Sequence, residues 1–229
     1  MTEGRESTTE TTVRVTEIFH SIQGESTWAG LACTFVRLTG CPLRCVWCDT
    51  EYAFQGGDRM STSRIMEQVA SYGCRLVEIT GGEPLVQPGA STLGLRLVEA
   101  GYTVLVETSG ALDVSNLDPR IHKIMDLKCP GSGEVERNLW SNLDHLTHRD
   151  ELKFVVSGRE DLDWLMEVVE EHGLDKRVVS GDLNALLVSP VWGSTDLKEL
   201  SASVLESGLP LRIQTQLHKH IWGPMTPGV

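Results

Sequence analysis

The stretch that decides the fold is Leu38-Thr39-Gly40-Cys41-Pro42-Leu43-Arg44-Cys45-Val46-Trp47-Cys48-Asp49-Thr50, with cysteines in the order C-x-x-x-C-x-x-C. Three thiolates in one short loop suit an iron–sulfur cluster or zinc, which both favour sulfur ligands. Three cysteines can hold three corners of a cubic cluster and leave the fourth open for chemistry. A zinc site completed by Cys33, Cys74, Cys129 or a histidine is the alternative, but the chain has no second C-x-x-C to form a paired knuckle.

Length and composition restrict the class of protein. The 229 residues, 40% of them hydrophobic, suit one domain with its own core. A net charge of −12 repels nucleic acid and anionic membranes, and no apolar run is long enough to span a bilayer. The start of the chain lacks the apolar core of a signal peptide. We therefore expect a flexible polar tail over residues 1–12, a single domain over 13–229, and a cytoplasmic protein whose thiols bind metal.

Strand-like and helix-like segments alternate along the chain. Apolar, β-branched runs predict strands at Val13–Ile18, Thr34–Leu38, Leu76–Thr80, Thr103–Glu107, Lys123–Asp126, Leu152–Val156, Ala185–Val188 and Leu211–Gln214. Helices are predicted at Ser61–Ser71, Thr92–Glu99, Asp161–Glu171 and Thr195–Glu206. This alternation indicates an α/β fold with a mainly parallel sheet. Because several strands end in chemically loaded loops, we favour a closed or partial β/α barrel over a doubly wound sheet.

A second motif, Gly81-Gly82-Glu83-Pro84, closes the strand that follows the cysteine loop. By itself it is an ordinary Gly-Pro turn, although the glycines allow close approach of a ligand and Glu83 can accept from an ammonium. Together the two motifs resemble those of the radical S-adenosylmethionine (radical SAM) enzymes. In that family the cysteines bind a [4Fe–4S] cluster whose open iron is chelated by SAM. The resemblance implies a partial β/α barrel.

The N-terminal run Ser21-Ile22-Gln23-Gly24-Glu25 narrows the resemblance. An amide beside a carboxylate can read a 2-amino-4-oxo-pyrimidine edge, although a polar loop with a glycine turn has the same local pattern. The run resembles the S-I-Q-G-E signature of the 7-carboxy-7-deazaguanine synthase family, which usually continues with Gly where this chain has Ser26. Further segments match the family, namely Cys48-Asp49-Thr50, Glu107-Thr108-Ser109-Gly110, Gln216-Leu217-His218-Lys219 and Ile221-Trp222-Gly223. The chain departs from it at Asp126-Leu127-Lys128, where many members have S-P-K, and matches it only loosely at Val188–Val191.

The resemblance implies a specific reaction. It is the conversion of 6-carboxy-5,6,7,8-tetrahydropterin to 7-carboxy-7-deazaguanine with loss of ammonia, in queuosine and 7-deazapurine biosynthesis. Hydrogen abstraction by a 5′-deoxyadenosyl radical starts it, SAM is regenerated, and Mg²⁺ is required. The resemblance also implies a homodimer and an electron donor such as flavodoxin or ferredoxin.

The resemblance assigns roles to individual residues of this chain. The cluster ligands are Cys41, Cys45 and Cys48. The SAM pocket is formed by Trp47, Cys48, Asp49, Gly81, Gly82, Glu83, Lys128 and Ser189, with Trp47 against the adenine. The pterin is held by Ile22, Gln23, Gly24, Arg37, Thr80 and His218, and the Arg37 guanidinium suits its carboxylate. Thr50 is the Mg²⁺ ligand, although its local sequence equally allows a helix N-cap.

Two other kinds of protein share part of this pattern. A glycyl-radical activase has the same cysteine spacing, but it would leave Gln23-Gly24-Glu25 and the C-terminal Gln216–Lys219 run unexplained. A zinc-stapled binding module is the non-catalytic alternative. We further expect His218 and His220, two residues apart, to face the same side of an extended segment.

Overall fold

The computed structural model describes residues 10–224, 226, 228 and 229. In these ranges nine strands form one sheet: β1 (Thr12–Ile22), β2 (Ala32–Leu38), β3 (Asp58–Ser61), β4 (Leu76–Gly81), β5 (Thr103–Thr108), β6 (His122–Leu127), β7 (Glu151–Val156), β8 (Ala185–Pro190) and β9 (Leu211–Ile213). The α-helices are α1 (Thr62–Ser71), α2 (Gly89–Glu99), α3 (Arg159–Glu171), α4 (Leu174–Ser180), α5 (Leu197–Ser207) and α6 (Leu217–Trp222).

The sheet is parallel from β2 to β9 and carries an antiparallel extension. Its order is β3-β1-β2-β4-β5-β6-β7-β8-β9, with β1 antiparallel to both β2 and β3. Each neighbouring pair from β2 onward is parallel. Because β3 and β9 remain as edges, the barrel is incomplete, which confirms the predicted partial β/α barrel.

The two faces of the sheet have different chemistry. The outer face packs against the helices through a large apolar core that includes Val36, Ile79, Leu97 and Leu165. The inner face has a smaller apolar cluster at its lower end, built around Phe19, Cys33, Phe35, Leu105 and Ile124. Polar and charged side chains take over toward the carboxyl ends of the strands. The site is therefore at the end where a β/α fold presents its loops.

All eight predicted strands and all four predicted helices are confirmed, with shifted ends. Strand β3 and helices α4 and α6 were not predicted, because each is short and lacks a full hydrophobic repeat. Helix α6 makes the expectation for His218 and His220 wrong. Residues two apart in a helix are separated by roughly 200° and point in different directions. The ring of His220 packs on Trp192, with centroids 4.8 Å apart.

The predicted N-terminal boundary at residue 12 needs a correction. Residues 1–9 lie outside the described residues, so the tail prediction is not tested there. Residues 10–12 belong to the fold, because Thr12 begins β1 and Glu10 accepts a hydrogen bond from the Ser63 N–H at 3.2 Å. The Thr11 carbonyl likewise accepts from Thr62 N–H at 3.0 Å. These bonds satisfy free N–H groups at the start of α1. No helix in the described part of the chain is both long and apolar enough to cross a membrane.

Ser26 occupies a backbone conformation that favours glycine. Its φ is +64°, and its hydroxyl accepts from Trp28 N–H at 3.1 Å. This explains in physical terms why glycine suits the position.

We expect Ser26→Gly to be more stable than Ser26→Ala by about 1 kcal/mol, because both lose the hydroxyl contact and only glycine relieves the left-handed strain. Urea unfolding of the two variants measures this difference. Equal stabilities would show that the conformation carries no strain.

Candidate active site

The cysteine loop leaves the carboxyl end of β2 and is anchored at both sides. Gly40 N–H donates to the Ala53 carbonyl at 2.8 Å, and Val46 N–H donates to the Ser132 carbonyl at 3.0 Å. Cys41, Cys45 and Cys48 are free and partly exposed. Burial raises the pKa of all three thiols, and the nearby Lys128 ammonium acts against that rise. A bound metal completes their deprotonation.

The loop suits a cluster better than a single metal ion. Among the described residues, no three Cys, His, Asp or Glu side chains are arranged to hold one ion. A zinc staple needs its ligands to converge on one atom. In a [4Fe–4S] cube, three cysteines bind three different irons and stay further apart. The donor set therefore fits the cluster.

The Gly81-Gly82 turn packs directly against the cysteine loop. A side chain at Gly82 would lie 2.5 Å from the Cys41 Cβ and 2.7 Å from the Gly40 carbonyl oxygen. Glu83 N–H also donates to the Gly40 carbonyl at 2.9 Å. Because these distances exclude any Cβ, the end of β4 and the cysteine loop form one continuous wall.

Glu83 has a different place from the one predicted. Its side chain is 0% exposed, and its carboxylate accepts from Leu85 N–H at 2.9 Å and Ser109 N–H at 2.7 Å. The hydroxyls of Thr108 and Ser109 donate to the same oxygens at 2.5–3.0 Å. The acceptor capacity of the carboxylate is thus used within the protein. Glu83 fixes the glycine turn on the end of β5 rather than offering a free carboxylate to an ammonium.

The end of β6 carries an ion pair with an unused oxygen. Lys128 Nζ lies 3.0 Å from Asp126 Oδ2, and although burial opposes the charge, Asp126 raises the pKa of Lys128 to about 12. Asp126 is 9% exposed, and its Oδ1 has no partner among the described residues. A buried acceptor without a partner calls for a ligand donor. This position beside the cysteines fits the hydroxyl and ammonium groups of SAM.

The Gln23-Gly24-Glu25 segment and α6 meet at close range. Leu217 N–H donates to the Gly24 carbonyl at 2.9 Å, and a side chain at Gly24 would overlap the His218 ring. Burial lowers the pKa of His218, so its imidazole is neutral near pH 7. The structure thus places Gly24 against His218, two of the residues for which the resemblance implies a substrate contact.

Gln23 points into the protein rather than toward the pocket. It is 3% exposed, its amide nitrogen donates to Glu78, and its amide oxygen accepts from Glu25 N–H at 2.6 Å. The prediction that the Gln23 amide reads a pterin edge is therefore wrong for its side chain. Its backbone carbonyl and N–H pair with Gly30 and Leu31 at 2.8 Å, so Gln23 holds the loop that carries Gly24.

Arg37 and Thr80 lie side by side on paired strands. Arg37 is the register partner of Thr80, and its Nε donates to Glu17 Oε1 at 2.7 Å. Tyr52 Oη donates to the same oxygen at 2.8 Å. Since only Nε is engaged in the described structure, the terminal nitrogens of Arg37 are available to a carboxylate.

Thr50 and Asp49 connect the cysteine loop to α6. Thr50 precedes a 3₁₀ turn at Glu51–Ala53 but makes no capping bond, and its hydroxyl donates to Asp49 Oδ1 at 2.9 Å. Asp49 Oδ2 receives Lys219 Nζ at 2.5 Å. Although burial acts in the opposite direction, Lys219 lowers the pKa of Asp49 to about 2. The hard oxygens of Thr50 and Asp49 suit Mg²⁺.

The remaining predicted residues lie around the same end of the sheet. Trp47 is partly exposed on the cysteine loop, and Ile22 is the last residue of β1. Ser189 is buried near the end of β8, where its hydroxyl accepts from Gln214 Nε2 at 2.9 Å.

Two charged residues of the pocket, Lys153 and Glu107, were given no role from the sequence. Lys153 is 5% exposed, lies 2.9 Å from Glu25 Oε2 and also contacts Glu107. Although burial opposes its charge, Glu107, Glu25 and Asp126 raise the pKa of Lys153 well above its ordinary value. The sequence did contain a signal for these residues, because a charged residue inside a short parallel strand interrupts a run that is otherwise apolar.

The comparisons with known proteins agree with this geometry. The family model described as the Radical SAM superfamily matches residues 35–181. A "7-carboxy-7-deazaguanine synthase" of Koribacter versatilis is 44% identical over 95% of this chain and 100% of its own length. The protein of the same name from Chlorobaculum tepidum is 40% identical over 96% and 99%. That of Thermoplasma acidophilum is 37% identical over 94% and 99%.

Two solved structures share the fold. QueE from Escherichia coli aligns with a TM-score of 0.66 at 23% identity, covering 90% of this chain and 95% of QueE. Streptococcus suis SuiB bound to S-adenosylmethionine aligns at 0.52 and 14%, covering 77% and 45%. At such low identities these likenesses support the fold alone. The family match and the full-length relatives together show that the chain belongs to the radical SAM superfamily and, within it, to the 7-carboxy-7-deazaguanine synthases.

Proposed function

We propose that this chain converts 6-carboxy-5,6,7,8-tetrahydropterin to 7-carboxy-7-deazaguanine and releases ammonia. One observation carries the proposal: the cysteine loop, the glycine turn and the Gly24–His218 contact converge at one end of the sheet. A cluster and SAM site therefore adjoins a pocket whose polar groups suit a carboxylated heterocycle. The relatives' shared name supports the same substrate class.

The residues divide the work by position. Cys41, Cys45 and Cys48 would hold the cluster. Gly81, Gly82, Trp47, Asp49, Lys128 and Ser189 would surround SAM, with Glu83 acting through the turn. When bound, the cluster and SAM supply a carbon radical that takes hydrogen from the substrate and returns it. The protein orients the two ligands and excludes water.

Arg37 and Thr80, neighbours on paired strands, would hold the pterin from the same side. The terminal nitrogens of Arg37 suit its carboxylate in a two-point contact, since Glu17 already holds Nε at 2.7 Å. Ile22, Gly24 and the neutral His218 would close the pocket from the other side, with Gln23 supporting the loop. Oxygen ligands from Thr50 and the substrate suit Mg²⁺, which prefers few protein ligands.

We also propose a small-protein electron donor such as flavodoxin or ferredoxin, a homodimer, and a cytoplasmic location. The exposed side of the cysteine loop supports the first, because Val46 at its tip is 77% exposed and leaves an approach to the cluster. The free cysteines support a reducing compartment.

Turnover with reconstituted cluster, reductant, SAM, Mg²⁺ and carboxytetrahydropterin tests the function. We expect carboxydeazaguanine and ammonia in equal amounts, with SAM unconsumed. Failure to form product with an intact cluster would contradict the substrate assignment. SAM consumed in proportion to a radical on another protein would instead indicate an activase. Zinc without iron and sulfide after anaerobic purification would indicate a binding module.

Removing the Thr50 hydroxyl should weaken the response to Mg²⁺. We expect Thr50→Ala to lose most of its activation by Mg²⁺ while SAM binding persists, because the hydroxyl is not otherwise needed as a helix cap. Thr50→Ser keeps an oxygen ligand and serves as the control. Titration of activity with Mg²⁺, beside calorimetric SAM binding, measures both effects. An unchanged Mg²⁺ response in Thr50→Ala would remove Thr50 from the metal site.

A further inference from the structure

The inner face of the sheet beneath the pocket holds more carboxyl groups than ammonium groups. The six groups are Glu25, Glu78, Glu107, Asp126, Lys128 and Lys153. Fully ionised, they would leave two uncompensated negative charges in a mostly buried region. Such charge is costly in a low-dielectric interior, and neutralisation by a proton is the usual outcome.

Glu78 is the carboxyl that the cations do not reach. Lys153 lies against Glu25 and Glu107, with Asp126 Oδ2 at 3.8 Å, so its donors point elsewhere. Within the described structure, the Glu78 carboxyl has one hydrogen-bond donor, the neutral Gln23 amide. An ionised Glu78 would therefore be a buried anion without a cationic partner.

Burial also disfavours the ionised form of Glu78. Glu78 is 1% exposed, and burial raises its pKa well above the ordinary value, with Glu107 and Glu25 adding to the rise. The Gln23 amide and the Lys153 charge oppose this shift without reversing it. From β2, the group facing Glu78 is the Cys33 thiol, whose own pKa is raised by burial. The burial of Glu78, its single neutral donor and the surrounding charges all favour its protonated form.

The proton has a short route to the pocket. Glu78 is the register partner of Leu105, so Glu107 stands two residues further along the same face of the neighbouring strand. Diagonal neighbours at this spacing are within reach of long side chains. Glu107 is 28% exposed at its side chain, and Thr80 Oγ1 donates to its Oε2 at 3.5 Å. Glu107 is therefore the carboxyl that stands between Glu78 and Thr80 on this face of β5 and β4.

We propose that Glu78 is a protonated carboxyl that serves as the proton reservoir of the active site, exchanging its proton through Glu107 with the amine that leaves the substrate. This inference rests on the proposed function, because it explains a step that the loss of ammonia requires. Glu78 acts through Glu107 and is thus a positioning residue rather than a group that touches the substrate.

The step balances without any further reactant. As the C–N bond breaks, its electron pair goes to nitrogen, and the proton of Glu78 passes to Glu107 and from there to that nitrogen. A ring C–H bond gives its electron pair to the new C=C bond, and its proton returns to the Glu107–Glu78 pair. Ammonia leaves neutral, and the two carboxyls finish with the single proton with which they began.

Glu78→Gln tests the protonation state directly. Glutamine keeps the shape and still accepts from Gln23, but it cannot exchange a carboxyl proton. Infrared spectra of the cluster-loaded proteins at pH 7 should show the carbonyl stretch of a protonated acid, shifted in D₂O, in wild type and Glu67→Gln but not in Glu78→Gln. Glu67 is an exposed residue of α1. The same band in all three proteins would overturn the proposal.

Kinetics test the role of that proton. With C6-deuterated substrate, Glu78→Gln should still transfer deuterium into SAM, while ammonia release slows by roughly tenfold or more, less than a direct acid would lose. KM should stay unchanged, and the pH profile of ammonia release should flatten. If Glu78→Gln releases ammonia at the wild-type rate and with the wild-type pH profile, the proposed role of Glu78 as a proton reservoir is wrong. If the wild-type enzyme neither transfers deuterium nor forms product, the proposed function is contradicted. The infrared band would still show whether Glu78 is protonated.

Discussion

Lys153→Met should lower the free energy of unfolding by about 3–5 kcal/mol, the usual cost of removing one partner from a buried ion pair. Lys153 is 5% exposed, with Glu25 Oε2 at 2.9 Å, Asp126 Oδ2 at 3.8 Å and a direct contact to Glu107. Methionine fills the space of the alkyl chain, so the loss reports chiefly the uncompensated carboxylates. Urea unfolding of the cluster-loaded protein under anaerobic conditions measures it.

Two further variants identify the cause. Lys176→Met removes an exposed lysine of α4 and should change stability by less than about 0.5 kcal/mol. Lys153→Met combined with Glu107→Gln should recover part of the loss, because one unpaired charge disappears. If Lys153→Met alone lowers the free energy of unfolding by less than about 1 kcal/mol, then water or bound protons compensate the carboxylates nearly as well as the ammonium does.

The same variant should alter the dependence of stability on pH. In the wild type, Lys153 and Gln216 lower the pKa of Glu25 despite its burial, so its contribution is present above the ordinary Glu pKa of about 4.3 and is lost as the pH falls through the folded value. Without Lys153 this contribution is absent. The stability difference between the two proteins should therefore narrow below about pH 4.3, where the carboxyls take protons in both.

The positions of the strands along the chain and the cysteine loop could be predicted because their signals are local. Short apolar runs indicate buried parallel strands, and the C-x-x-x-C-x-x-C spacing indicates a metal-binding loop without reference to any distant residue. Gly82 could be linked to the same loop because β4 follows it by one β/α unit. The structure then supplied the reason for that glycine, a 2.5 Å approach to the Cys41 Cβ.

The directions of side chains could not be predicted in the same way. The Gln23 amide and the Glu83 carboxylate have the chemistry expected of ligand contacts, yet both are satisfied inside the protein. Their partners, Glu78 and Ser109, are 55 and 26 residues away. The partner of the Lys153 ammonium, Glu25, likewise lies 128 residues earlier in the sequence. Contacts at such separations depend on sheet order and register, which one sequence does not specify.

Gly24→Ala should reduce kcat/KM for the pterin by about 100-fold or more, with the iron content and SAM binding unchanged, because displacing a binding group by about 1 Å has an effect of this size. A Cβ at this position would overlap the His218 ring and lie 3.0 Å from the His218 backbone nitrogen. The Gly24 carbonyl also accepts from Leu217 N–H at 2.9 Å, so α6 has little freedom to move away. Its backbone is not in the left-handed region, and the effect is therefore steric.

The matched control is Gly158→Ala, since a side chain there would meet no atom within 4 Å and its φ of 173° is extended backbone. We expect this variant to keep wild-type kcat/KM. If the overlap with the imidazole is the cause, Gly24→Ala combined with His218→Ala should be no worse than His218→Ala alone, because the ring that collides is gone. Independent, additive losses would instead show that Gly24 acts through the backbone of its loop. Unchanged kcat/KM in Gly24→Ala would mean that α6 shifts freely and that His218 does not hold the substrate.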